Sequence, residues 1–130
     1  AECANITGLL LPEHQSVQLT ESVLQVSQGA FIHLPIFRCG NLHQQLRNLK
    51  KEGFWIIGVE NSIKAMQWHQ LDYNRKVVLV MGSEGKGIRP VIIKACDELV
   101  TISMRGRINS LNVSSAASAI LFERQRQVKL

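Results

Sequence analysis

The stretch Val78–Pro90, VLVMGSEGKGIRP, runs an apolar segment into a glycine-spaced turn and resumes at a proline. A strand entering such a turn is the usual opening of a phosphate cradle, because glycines let backbone N–H groups approach an anion at a helix start. Both common cradles are excluded here. Gly82 and Gly87 have the P-loop separation but are followed by Ile88 and Arg89, where Lys and then Ser or Thr are required. Pro90 stands where a dinucleotide loop needs its third glycine. Glu84 adds a carboxylate in mid-loop, which repels a phosphate unless a cation intervenes. The loop is therefore expected to hold a different ligand.

Outward from this stretch, five apolar runs have strand length and composition: Thr7–Leu11, Ile32–Phe37, Phe54–Val59, Val77–Met81 and Leu99–Ile102. Their lack of strict alternation predicts strands buried on both faces, the habit of parallel sheets. Helical spacing lies between them. Leu19, Val23, Leu24 and Val26 form one short stripe; Leu42, Leu46 and Leu49 form another, opened by Asn41 as N-cap and closed by Gly53. Pro90 suits the first turn of a helix to about Ala95, and a last helix is expected from about Asn112 to Gln127. Strands alternating with helices imply an α/β fold with a mainly parallel sheet, whose ligands bind beyond the carboxyl ends of the strands. GVENS, GSEGKG and SMRGRINSLN are the loops in that position.

A chain of 130 residues suits one domain with one core, and no apolar run approaches the roughly 18 residues of a membrane helix. Cys3, Cys39 and Cys96 are odd in number and widely spaced, which indicates neither a disulfide framework nor a zinc site and fits a reducing cytoplasm or organelle matrix. The chain opens on Ala, in AECANITG, which reads as the middle of a helix and so as an internal start. Net charge +5 and a pI near 9.5 suggest a polyanionic partner. Arg105 and Arg107 in SMRGRINS, with Arg124, Arg126 and Lys129 near the end, are the cations placed for it; Lys50 and Lys51 suit the negative end of a helix.

Glu84 is the most suggestive acid. It either serves chemistry or does a local job, capping the next helix or pairing with Lys86 or Arg89. Ser110 and Asn112 supply a hydroxyl and an amide that accept and donate without charge, yet NSLN also reads as an N-cap for the last helix. The four histidines lack metal-ligand spacing, so no metal is expected. Trp55, within FWIIGV, reads as core.

Taken together, VLVMGSEGKGIRPVIIKACDELVTISMRGRINSLNVSSAASAILFE, Val78 to Glu123, resembles the SpoU branch of the SPOUT RNA methyltransferases. Gly82, Glu84, Gly85 and Gly87 fall on that family's second motif. Ile102, Met104, Gly106, Ser110, Leu111, Asn112, Val113 and Ser114 fall on its third. LLLPEHQSVQLTESVLQVSQGAFIHLPI and GFWIIGVENS also resemble the family, nearest to its ribosomal RNA ribose methyltransferases, so the resemblance spans nearly the whole chain.

The resemblance implies an α/β domain over residues 1–130 with a C-terminal deep trefoil knot, lacking the first strand of the fold. It implies S-adenosylmethionine (SAM) as cofactor, a ribose 2′-hydroxyl of RNA as acceptor, ribosomal more than transfer RNA, and a homodimer. Gly82, Ile102, Met104 and Leu111 would line the cofactor pocket; Glu84, Ser110 and Asn112 would form the catalytic layer; Arg105 and Arg107 would engage RNA. The family's first motif contains the arginine that activates the hydroxyl and with which Glu84 would pair; by alignment it belongs about two residues before Ala1. Ser103 replaces the usual proline, and Ser115 an apolar residue, in the third motif. Two other readings stay open: a knotted RNA-binding or dimerisation module, either inactive or active only with its missing N-terminal part restored, and a nucleotide-binding α/β domain of another class.

Overall fold

The computed structural model describes residues 1–14 and 18–128. They form two compact units, Ala1–Leu42 and His43–Leu130.

In the first unit a 3-10 turn at Glu2–Ala4 stands where the sequence suggested mid-helix. Strand β1 (Leu9–Pro12) pairs in parallel with β2 (Ile36–Cys39), Leu9 opposite Ile36 and Pro12 opposite Cys39. Helix α1 (Glu21–Val26) is capped by Thr20, whose hydroxyl accepts from the Val23 N–H at 3.4 Å. Its expected apolar stripe is not buried, since Val23 and Val26 are both exposed. The expected strand Ile32–Phe37 is split. Ala30–His33 forms a short helix, α2, after Gly29, and strand pairing starts only at Ile36. Pro35 explains the break: it forces Leu34 out of helical geometry and has no N–H to donate, while its carbonyl accepts from Leu9 at 2.9 Å.

The second unit holds a four-stranded, all-parallel sheet in the order β4-β6-β3-β5, made of β3 (Trp55–Val59), β4 (Met66–Gln67), β5 (Val77–Met81) and β6 (Glu98–Thr101). Helices α3 (Leu42–Lys51), α4 (Pro90–Ala95) and α5 (Val113–Gln127) accompany it. In β3, three consecutive residues, Ile56 to Gly58, are buried, as expected of a strand covered on both faces. Ile57, Leu71, Tyr73, Val100 and Ile120 form the core, and each such large apolar side chain contributes about 1.5–3 kcal/mol by leaving water. Trp55, expected in the core, instead opens β3 with 40% of its surface exposed and the Arg75 guanidinium 4.2 Å above its ring. Strand β4, only two residues long, carries no pattern that sequence could reveal.

Side chains tie these elements together. Lys50, at the end of α3, pairs with Asp97 at 3.0 Å, and the other Asp97 oxygen accepts from the Ile56 N–H at 2.8 Å. At the far end of α5, Gln127 donates to the Leu71 carbonyl and accepts from the Tyr73 N–H. Gln127 also donates to Glu123, which accepts two bonds from Arg126. The Arg126 guanidinium and then the Gln127 amide hold the Glu123 carboxyl down, from its ordinary 4.5 to about 2. Burial, and secondarily Glu123, pushes the Tyr73 phenol up to about 12. Its hydroxyl donates to the Trp68 carbonyl at 2.6 Å.

Candidate functional site

Strands β5, β3 and β6 lie side by side and end at the same edge of the sheet, so the loops after them emerge as neighbours. That edge is where parallel sheets bind ligands.

The loop after β5 is closed on itself. Ser83 and Gly87 exchange backbone hydrogen bonds at 3.2 and 3.0 Å, which leaves Glu84, Gly85 and Lys86 at the tip. Gly82 is required by packing: a Cβ there would stand 2.5 Å from the Gly87 carbonyl carbon, 2.7 Å from its Cα and 2.8 Å from the Ile88 nitrogen. Gly85 is required by its backbone, at φ 77°. The glycines thus first shape the loop itself.

Glu84 is exposed at this tip. Neither local role considered for it is filled: among the described residues it makes no ion pair with Lys86 or Arg89, and the cap of α4 has no side-chain hydrogen bond. A different carboxylate engages the backbone of this loop, just ahead of the uncapped α4. Glu60, in the loop after β3, accepts from the Ile88 N–H at 3.1 Å and lies 3.0 Å from where Gly87 would carry a Cβ. Sequence reasoning noticed the loop but not this residue, because nothing in GVENS distinguishes a carboxylate reaching Ile88 from one in water.

The loop after β6 starts with Ile102 and Met104 half-buried and then turns outward, with Arg105, Arg107 and Ser110 exposed and Leu111 45% exposed. It is held from outside at two points. Gln67 donates to the Ser103 hydroxyl at 2.7 Å, and Asn61 donates to the Asn109 carbonyl at 2.9 Å. Ser103, which replaces the proline of the resembled motif, thus has a definite partner. Asn112 is the N-cap of α5: its Oδ1 accepts from the Ser114 N–H at 2.9 Å and the Ser114 hydroxyl at 2.6 Å. The capping reading of NSLN is therefore correct, and it occupies only the oxygen of the amide. No acceptor among the described residues takes the Asn112 Nδ2.

Glu84 makes no hydrogen bond to Ser110 or Asn112 among the described residues; the two loops are linked through Glu60 and Asn61 between them. Of the C-terminal cations, Arg126 is engaged by Glu123, Arg124 lies in the last turn of α5, and Lys129 falls outside the described residues. A shallow groove bordered by Lys64, Met66, Ile93, Asp97 and Leu99 shares none of the candidate residues.

Residues 1–122 match the sequence profile of the SpoU rRNA Methylase family. The chain belongs to that family. Among SpoU relatives, the 23S rRNA (guanosine-2′-O-)-methyltransferase RlmB of Shewanella oneidensis is 39% identical over 127 residues, which cover 98% of this chain and 51% of that protein. The crystal structure of the A. aeolicus TrmH/SpoU tRNA modifying enzyme is 31% identical with a TM-score of 0.87, covering 96% of this chain and 63% of that one. An AdoMet-bound rRNA methyltransferase from Sinorhizobium meliloti has a TM-score of 0.89 at 24% identity, covering 99% and 49%, and shares the fold. This SpoU chain spans about half the length of the curated relatives it matches. Among the described residues, no helix is long and apolar enough to cross a membrane.

Proposed function

We propose that this chain belongs to the catalytic domain of a SAM-dependent RNA methyltransferase that modifies a ribose 2′-hydroxyl, in ribosomal RNA more than in transfer RNA. The observation that carries the reading is the edge where three loops meet, one closed by Gly82 against Gly87, one capped by Asn112, with Glu84 exposed and uncommitted between its glycines. Membership of the SpoU family and the ribose methylation named for the Shewanella relative supply its chemistry.

The donor set fits SAM. Ile102, Met104 and Leu111 offer apolar contact, Gly82 offers backbone, and Glu84 is compatible with a sulfonium cation where it would repel a phosphate. When bound, SAM supplies an electrophilic methyl group. The chain's own residues then have to orient the acceptor hydroxyl in line with it, which is where much of the rate is gained. Ser110 and the free Nδ2 of Asn112 are the groups suited to that, while Arg105 and Arg107 meet RNA phosphates and 2′-hydroxyl recognition separates RNA from DNA. The same reading includes the C-terminal trefoil knot and a homodimer.

Calorimetric titration with SAM and transfer of labelled methyl groups to ribosomal and transfer RNA test the proposal. Saturable SAM binding and label at ribose 2′-oxygens are expected. Binding of a nucleotide with no heat from SAM would end it.

A further inference from the structure

Glu60 and Asn61 are adjacent, belong to neither methyltransferase motif, and reach in opposite directions. β3 is flanked by β5 on one side and β6 on the other, so its carboxyl end adjoins both loops of the candidate site. The Glu60 N–H is bonded to the Val100 carbonyl at 3.0 Å, which fixes this point of the chain to the end of β6. From there the Glu60 carboxylate crosses to the glycine loop and takes the Ile88 N–H, lying 3.0 Å from where Gly87 would carry a Cβ. The Asn61 amide crosses to the other loop and donates to Asn109, three residues before the Asn112 cap.

We infer that Glu60 and Asn61 form a two-armed clamp that sets the gap between the glycine loop and the 102–112 loop, and hence the width of the SAM seat. They are positioning residues, acting through Ile88 and Asn109. The consequence for SAM rests on the methyltransferase reading; the clamp itself rests only on the bonds described.

Two isosteric changes are expected to give opposite results. Glu60→Gln keeps an oxygen to accept from Ile88, so SAM affinity and KM should stay within about twofold of wild type. Asn61→Asp removes the donor and sets a carboxylate against the Asn109 carbonyl, so SAM affinity should fall by about tenfold, the scale of a lost hydrogen bond with an unpaired group left behind. Glu60→Ala should match Asn61→Asp, with kcat falling less than KM rises. In the double variant Glu60→Ala with Asn61→Ala, the loss should be smaller than the two single losses combined, because either arm alone opens the gap.

Hydrogen exchange of segment 83–88 supplies a readout independent of activity. It should quicken by about tenfold in Glu60→Ala and not in Glu60→Gln. Equal damage from Glu60→Gln and Glu60→Ala would make the charge, not the acceptor, the active feature and overturn the clamp. So would unaltered exchange in Glu60→Ala, or an Asn61→Asp variant that binds SAM normally. If the wild-type chain takes up no SAM, the methyltransferase reading has failed and exchange alone decides the clamp.

Discussion

Replacing Gly82 by alanine tests whether the glycine loop owes its shape to the close approach of its two ends. A methyl there would meet three backbone atoms, at 2.5, 2.7 and 2.8 Å. Carbon atoms ordinarily approach to about 3.5–4.0 Å, so the overlap is roughly 1 Å and cannot be relieved by rotating a side chain. Residues 87 and 88 must move, and with them go the two Ser83–Gly87 bonds and the bond from the Ile88 N–H to Glu60. At about 0.5–1.5 kcal/mol each, those three bonds put the loss at about 1.5–4.5 kcal/mol. Gly85→Ala is the control. Its Cβ meets nothing within 4 Å, and only the left-handed backbone at φ 77° opposes it, a cost of about 1–2 kcal/mol. Urea unfolding of the two variants should therefore show Gly82→Ala as the more damaging, and calorimetry should show its SAM affinity lower by at least about tenfold. The packing argument is wrong if Gly82→Ala lies within about 0.5 kcal/mol of wild type, or if Gly85→Ala costs more.

Asn112→Asp keeps the oxygen that caps α5 and removes the amide hydrogens, so unfolding stability should hold while methyl transfer drops by more than about tenfold; unchanged transfer would reduce Asn112 to a cap. Glu84→Gln should likewise leave stability within about 0.5 kcal/mol, since Glu60 already serves Ile88, and still slow turnover by about tenfold or more; a stability loss would mean that Glu84 holds the loop. Changing both Arg105 and Arg107 to Ala should lower the slope of log affinity for RNA against log salt by about 0.7–0.9 for each phosphate left without its cation, and an unaltered slope would place the RNA elsewhere. Glu123 has its pKa depressed from 4.5 to about 2 by Arg126 and Gln127, so its stabilisation is complete above pH 4.5 and is lost as pH falls toward 2. Acid unfolding of Glu123→Gln, compared with wild type across that window, should show a flatter decline.

Much of the sheet was legible because buried parallel strands write themselves as continuous apolar runs. Val77–Met81 was read to the residue, and Phe54–Val59 and Leu99–Ile102 to within one. Ile32–Phe37 does not form one strand because apolar content alone does not separate a short helix from a strand, and Pro35 sets the boundary between the two. Trp55 failed for a related reason. Its neighbours are core residues, but it opens the strand, where Arg75 rather than a helix covers its ring. In the site, the motifs marked the two outer loops, and local chemistry marked Asn112 as a possible cap. Glu60 was invisible, since its partner, Ile88, lies 28 positions away and the bond exists only because β3 and β5 are neighbours in the sheet.

The two carboxylates of these loops show what strand order adds to motif reading. By sequence, Glu84 sits nearer Ile88 and is the natural candidate to satisfy its N–H. Closure of the loop by Ser83 and Gly87 instead leaves Glu84 at the exposed tip, while the central position of β3 brings Glu60 to the amide. A carboxylate already used by the backbone would lose that hydrogen bond whenever it turned toward a ligand. Glu84 has no such bond to give up. The difference therefore follows from topology: the acid after the central strand is bound to the loop backbone, and the acid within the loop stays exposed, as the proposed role at the ligand requires.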